Sequence, residues 1–369
     1  MSWFQPRTPL FWVYCLAVIA GPLLFLLQAA GQVWFAGPPA LAALPITALT
    51  LLLIGRILFA LDPFRARRHL VAPMAMGAIW GATVWTGLAM WANDNMTRVI
   101  TNLFGDRFAI NWQAAITAPL DEEYIKAIGI VVVALLFRSR LTRPMHGLLL
   151  GASVGLGAQI AEDCLYSTQT ALSSPQEPVV DVLLVAVLRL VTAFTSHWAM
   201  SALAGVGVVV LLVRTDRSRI WRLSVFALFY LLAVTMHFLF DAPRPPGPAL
   251  LSTYLPILVD LAIFALAYAW VLAVERRWFR GLIATPAART VGSEAGLAPL
   301  LTYHRRRQAR AILRRATGFT RRQSRDYERG LLRRVTDLSV APLGQTVSRP
   351  GFDSGPGPAP GPMGPTFAR

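Results

Sequence analysis

Apolar residues run through this chain in blocks long enough to cross a bilayer, separated by polar stretches that alternate in charge. A crossing helix needs about 20 predominantly apolar residues. Eight such blocks can be placed, at 10–30, 40–61, 71–92, 121–138, 146–166, 190–213, 222–241 and 251–274. The pattern predicts an all-α polytopic membrane protein of about eight transmembrane helices. Alternate connections are basic: Arg65-Ala66-Arg67-Arg68, then Arg138/Arg140/Arg143, then Arg214/Arg217/Arg219/Arg222, then everything from Arg276 onward. The stretches 31–39, 93–120, 167–189 and 242–250 are poor in arginine. Cytoplasmic loops hold the excess of basic residues, so a multi-pass cell-membrane protein with both termini cytoplasmic is expected. The first apolar block exceeds the roughly 7–15 residue core of a signal peptide and reads as a retained span.

Two features strain this simple pattern. The apolar run 180–213 would reach ~50 Å as one helix, against a hydrocarbon core of ~30 Å. Either Arg189 sits at the outer interface with the first turns above the membrane, or the helix bends near Gly205/Gly207. In addition, four spans carry ionisable groups: Glu122-Glu123 with Lys126, Glu162, Arg189 with His197, and His237 with Asp241. Each charge in hydrocarbon costs ~3 kcal/mol even on the lenient insertion scale, which makes such residues functional candidates. The topology puts all four groups in the outer half of the bilayer. Gly151, Gly155 and Ala158 precede Glu162 at helical spacing and form a small-residue stripe suited to close packing, so Glu162 should face the bundle interior. Ala193, His197, Ser201 and Gly205 form a similar stripe, and Tyr230, Ala233, His237 and Asp241 share a face.

Two glutamates and two histidines from four helices offer donors for a divalent cation, zinc included. The same groups can polarise water directly, with a desolvated glutamate as general base. They also suit a proton relay in a coupled transporter. Duller readings stand beside these. Pro119 fits a helix start, and Glu122 and Glu123 would suit the first turn of that helix. Asp163 reads as an interfacial acid, and Asp260 as an internal partner for Arg189.

Composition sharpens the site. Of 35 basic residues only Lys126 is lysine, so a lone lysine beside two glutamates marks a site requirement. Arginine elsewhere fits a GC-rich bacterial genome. The net charge of +16 belongs mostly to a tail, since residues 276–369 hold 18 arginines against 5 acids. Two cysteines give neither a disulfide framework nor metal-ligand spacing. The expected organisation is a membrane domain over 1–275, an arginine-rich cytoplasmic helical segment over 276–338, and a Gly/Pro-rich disordered tail over 339–369. Anionic cytoplasmic lipid is the expected partner of the basic segment. No specific nucleic-acid partner is expected, because no recognition motif is present.

The ordered motifs resemble the PrsW family of intramembrane metalloproteases, relatives of the CAAX prenyl endopeptidase and bacteriocin-immunity membrane proteins. They are Glu122-Glu123-Tyr124-Ile125-Lys126, Glu162-Asp163, Arg189 through His197, and His237 through Asp241. Asp163 and Asp241 stand where the family pattern has asparagine. The resemblance implies hydrolysis of a peptide bond near the outer face, as in cleavage of a single-span membrane-anchored anti-sigma factor. It further implies Glu122 as base or ligand, with Glu162, His197 and His237 completing the water or metal site. Glu123 and Lys126 would form a supporting ion pair, and Arg189 would orient a carboxylate or bind substrate backbone. A proton-coupled transporter using the buried Glu/His cluster as relay is the competing function.

Overall fold

The computed structural model describes residues 4–174, 176–244 and 247–339. Among these residues every element is helical and no strand occurs. The long helices are α1 (Pro9–Ala40), α2 (Leu44–Leu61), α3 (Val71–Trp80), α4 (Thr86–Phe104), α5 (Asp106–Leu136), α6 (Pro144–Ser173), α7 (Pro178–Thr192), α8 (His197–Val213), α9 (Arg219–Asp241) and α10 (Ala249–Ile283). A short α11 (Glu294–Leu297) leads to α12 (Tyr303–Thr317) and α13 (Arg321–Asp337). The expected disorder of 339–369 falls almost wholly outside the described residues.

Helices α6 and α8 form the centre. All of His197–Val210 is buried, and α6 packs against α1, α2, α3, α5, α7 and α8. Apolar burial gives helices in lipid little drive to associate, so small residues that allow backbone contact do this work. A Cβ on Gly147 would lie 2.2 Å from Gly205 O, on Gly151 2.0 Å from Ser201 O, and on Gly155 2.0 Å from His197 O. The predicted stripe on α6 therefore meets the stripe on α8, ending at His197. Gly155→Val should cost at or above the upper end of the ~1–3 kcal/mol typical of overpacking, because the obstruction is backbone. Gly31→Val, with nothing within 4 Å, is the control. Comparing their unfolding temperatures in detergent checks this, and an equal, small shift in both would contradict the packing argument.

Among the described residues five stretches are long and apolar enough to cross a membrane, rising to six when α7 and α8 are taken as one bent span. Large apolar side chains such as Leu16, Leu27 and Leu266 lie exposed on α1 and α10, the positions lipid would cover. The basic connections gather at one end of the bundle. Arg138 donates to Leu212 O at 3.3 Å, Arg143 pairs with Glu275 at 3.2 Å, and Arg68 lies 3.6 Å from Asp337.

Several expectations need correction. Residues 31–39 and 93–120 are not loops but extensions of α1, α4 and α5. The reversal between α4 and α5 is made by Gly105 alone, at φ 83°, a conformation that glycine adopts without a Cβ clash. Helix α5 starts at Asp106 and runs through Pro119, so Glu122 and Glu123 lie in mid-helix and do not cap a first turn. The long run 180–213 breaks at Ala193–Ser196, with a 40° bend between α7 and α8, and not near Gly205/Gly207. Broken backbone at membrane depth survives only where protein satisfies it. Here Gln159 donates to Ala193 O at 3.0 Å and the Trp198 indole to Phe194 O at 2.6 Å.

Candidate active site

Four helices deliver the site to a common depth. Glu122 lies 14 residues from Leu136, His197 16 from Val213, Glu162 18 from Pro144, and His237 18 from Arg219. At 1.5 Å per residue each is about 21–27 Å from the basic end of its helix. The break before α8 makes His197 the first residue of that helix, and a π-helical turn at Gly81–Trp85 brings Trp85 beside it. The two rings are 5.5 Å apart, and the His197 and His237 rings meet edge to face at 5.2 Å. π turns recur at functional sites because they re-aim side chains within a helix.

Glu122, His197 and His237, all buried, bring one ligand atom each within 4.8 Å of one another. Glu122 Oε1 accepts from the Asn93 amide at 3.0 Å, while Oε2 is buried without a hydrogen-bond partner. That orphaned oxygen lies 4.0 Å from His237 Nε2. A buried carboxylate oxygen left open between two imidazoles fits a divalent cation, whose usual donors are carboxylate and neutral imidazole. The residues present therefore suit a metal ion.

The surrounding groups set the imidazoles. Glu123 Oε1 lies 2.6 Å from Lys126 Nζ and 2.9 Å from His237 Nδ1. A carboxylate on Nδ1 holds a proton there, so that with an ion present the Nε2 lone pair would be free to face it, the arrangement that metal-ligating histidines adopt. Asp241 Oδ2 stands 3.3 Å from the same Nε2. His197 is held differently. Its Nδ1 lies 2.9 Å from Lys126 Nζ, and an ammonium only donates, so the ring proton sits on Nε2, 2.8 Å from Glu162 Oε2. Glu162 also accepts from Arg189 Nη2 at 2.5 Å, and Asp163 accepts from Arg189 Nε at 2.6 Å.

All nine residues expected at the site are thus connected within one network. Arg189 pairs with Glu162 and Asp163 and not with Asp260, whose two carboxylate oxygens are buried without partners. Asp163 is an internal ligand of that guanidinium, not an interfacial acid. Asn93 and Trp85 escaped the sequence reading. Asn93 lies in what looked like a connection, and nothing in the local pattern marks it. A cavity of about 400 Å³ opens onto Glu122, Glu162, His237 and Asp241, walled by Asn93 and Gln113.

The sequence pattern of the PrsW family intramembrane metalloproteases matches residues 71–273, more than half of the chain. No curated protein and no solved structure matches the chain. The match spans every residue of the buried network. It decides for an enzyme over a carrier, for a multi-pass membrane protein, and for a membrane protein as substrate. A metal ion accords with the Glu/His/His group. The chain belongs to the PrsW family of intramembrane metalloproteases.

Proposed function

We propose that this protease hydrolyses a peptide bond of a single-span, membrane-anchored protein, of the anti-sigma-factor kind, close to the outer membrane face. The observation that carries the reading is the convergence of Glu122, His197 and His237 within 4.8 Å, with one Glu122 oxygen unpartnered. These three would hold the ion, zinc being the first candidate. A divalent cation supplies Lewis acidity there, bringing the deprotonation of water into the neutral range. The chain's own residues do the rest. Glu122, held by Asn93 through Oε1, lines the cavity and offers Oε2 as the ligand oxygen, or as the base where no ion is held. Glu123 holds the His237 tautomer, and Lys126 compensates the Glu123 charge. For His197 to offer its Nε2 lone pair, that proton would pass to Glu162, 2.8 Å away, while the Lys126 ammonium, 2.9 Å from Nδ1, would supply a proton there to keep the ring neutral. Arg189 keeps Glu162 and Asp163 aligned for this.

Orientation follows from charge. The arginine-rich connections meet at one end, which the positive-inside rule makes cytoplasmic. The active residues then lie in the outer half, and both termini are cytoplasmic. Eight crossings remain the best count. The 53-residue helical stretch Pro9–Leu61 is long enough for two, and α5 crosses despite its charged residues because Glu122, Glu123 and Lys126 are buried. The three-part division at 275 and 338, and contact of the basic segment with anionic lipid, complete the proposal.

Metal content of the purified protein, with cleavage of a panel of single-span substrates before and after chelation, tests it. Near-stoichiometric metal and loss of cleavage on chelation, restored by zinc, are expected. Cleavage that continues undiminished after complete metal removal would leave Glu122 as a metal-independent base and overturn the ligand assignment.

A further inference from the structure

The basic segment is folded back onto the bundle, and its docking builds a second cavity. Phe64, Phe279, Ile283, Leu300, Leu332 and Val335 form a separate apolar cluster that fixes α12 and α13 beneath the ends of α2 and α10. Beside it lies a cavity of about 620 Å³, lined by seven arginines and only two acids, Asp62 and Glu328. It is on the opposite side of the bundle from Glu122, and nothing in the proposed reaction uses it.

The arginines are unequally occupied. Arg67 is committed to Asp62 at 2.8 Å and Arg310 to Glu328. The guanidiniums of Arg65, Arg276 and Arg325 make no hydrogen bond or salt bridge among the described residues. Arg306 is the informative one. It is only 8% exposed, its Nε donates to Leu300 O at 2.6 Å and its Nη1 to Pro63 O at 2.8 Å, yet its Nη2 is buried with no acceptor among the described residues. An unfilled donor on a buried cation is costly, and structures rarely keep one without a partner to receive. Burial and the neighbouring Arg67, Arg68 and Arg329 press the Arg65 guanidinium below its ordinary range, a crowding that an anion would relieve. Arg65 is also the one non-glycine residue at positive φ among the described residues, at 60°.

We propose that this cavity binds a phosphate-bearing polyanion, seated on Arg306 Nη2 and the unpaired guanidiniums of Arg65 and Arg325. The argument for phosphate is geometric and electrostatic. Guanidinium forks match phosphate oxygens in pairs, and donors arriving from the 62–67 turn, α10, α12 and α13 suit a group that accepts from several directions. A single carboxylate would leave most of the excess positive charge unanswered. The wall nearest the membrane is apolar, with Phe59, Ala60 and Leu272 beside the Tyr268 ring. That wall admits either the phosphates of an anionic lipid, whose chains would continue along α2 and α10, or a soluble phosphorylated molecule.

The test uses the purified full-length protein. One arm titrates inorganic pyrophosphate in detergent; the other places the protein in nanodiscs with and without cardiolipin, and both are read by unfolding temperature and native mass spectrometry. Saturable uptake is expected in at least one arm, weakened at least ~10-fold in the double variant Arg65→Gln/Arg325→Gln through loss of charge-assisted hydrogen bonds. Neither residue makes a bond that folding needs, so this variant remains interpretable where Arg306→Gln fails to fold. Pyrophosphate binding without a cardiolipin effect supports a soluble ligand, and a cardiolipin effect lost in the variant supports a lipid headgroup. Absence of saturable uptake in both arms, or equal uptake by the variant, overturns the proposal.

Discussion

Glu122→Gln should abolish cleavage while leaving the fold standing. The amide is isosteric and can still meet Asn93, which lies 3.0 Å from Glu122 Oε1. What changes is the other oxygen, which is buried, unpartnered and 4.0 Å from His237 Nε2. A glutamine places either a donor or an uncharged oxygen there, and neither accepts a proton from water nor balances a cation. Loss of a positioned base alone typically removes 10²–10⁴ in rate, so a fall of roughly 10³-fold or more is expected. Metal content should fall with it, since three donors become two. Single-turnover cleavage of a single-span substrate, with metal analysis of the same preparation, provides the check. A variant that retains a tenth or more of the wild-type rate (a loss below ~1.4 kcal/mol of transition-state stabilisation) would remove Glu122 from the centre of the mechanism.

The comparison of Glu122 with Glu123 marks the limit of what the sequence could disclose. The Glu-Glu-x-x-Lys spacing announces an ion pair within α5, and that pair is present at 2.6 Å between Glu123 and Lys126. Adjacent residues on a helix diverge by about 100°, so only one of the two glutamates can face the cavity. Which one depends on the rotation of α5 against α4 and α9, and spacing within α5 carries no information about that. The small-residue stripe on α6 was legible because its cause is local: Gly151 and Gly155 admit a neighbouring backbone wherever that neighbour lies. The same logic misplaced the bend in the long run after Val180. Gly205 looked like a hinge, yet a Cβ there would meet Gly147 O at 2.2 Å, so its smallness serves packing. The actual break at Ala193–Ser196 contains neither glycine nor proline. It is sustained by Gln159 from another helix, a long-range hydrogen bond that no local pattern records. Arg189 was recognised as functional, but its partners Glu162 and Asp163 are 27 and 26 residues distant along the chain. In the tail the arginines drew attention, whereas the sparse apolar positions Leu300, Leu332 and Val335 decide how it docks.

Replacing the lone lysine tests the network as a whole. Lys126 is fully buried, 2.6 Å from Glu123 Oε1, 2.9 Å from His197 Nδ1 and 3.9 Å from Glu122 Oε2, with the Trp85 ring 5.7 Å away. Lys126→Met preserves length and volume but leaves Glu123 as a buried carboxylate facing one imidazole, and its Oε2 already lacks a partner. Breaking a buried pair from one side typically costs about 3–5 kcal/mol, so a large fall in unfolding temperature is expected. Cleavage should be lost as well, because the donor that fixes the His197 tautomer is gone. The companion variant Lys126→Met/Glu123→Gln separates the two effects. Removing the orphaned charge should recover most of the stability, whereas the tautomers of His197 and His237 stay unset and activity stays absent. Lys126→Arg keeps the charge but replaces a compact ammonium with a longer planar fork at a site with no exposure, so it should destabilise without rescuing cleavage. If Lys126→Met alone leaves both unfolding temperature and cleavage near wild type, the ion pair is incidental, and a buried lysine between two glutamates and a histidine would have to be explained in some other way.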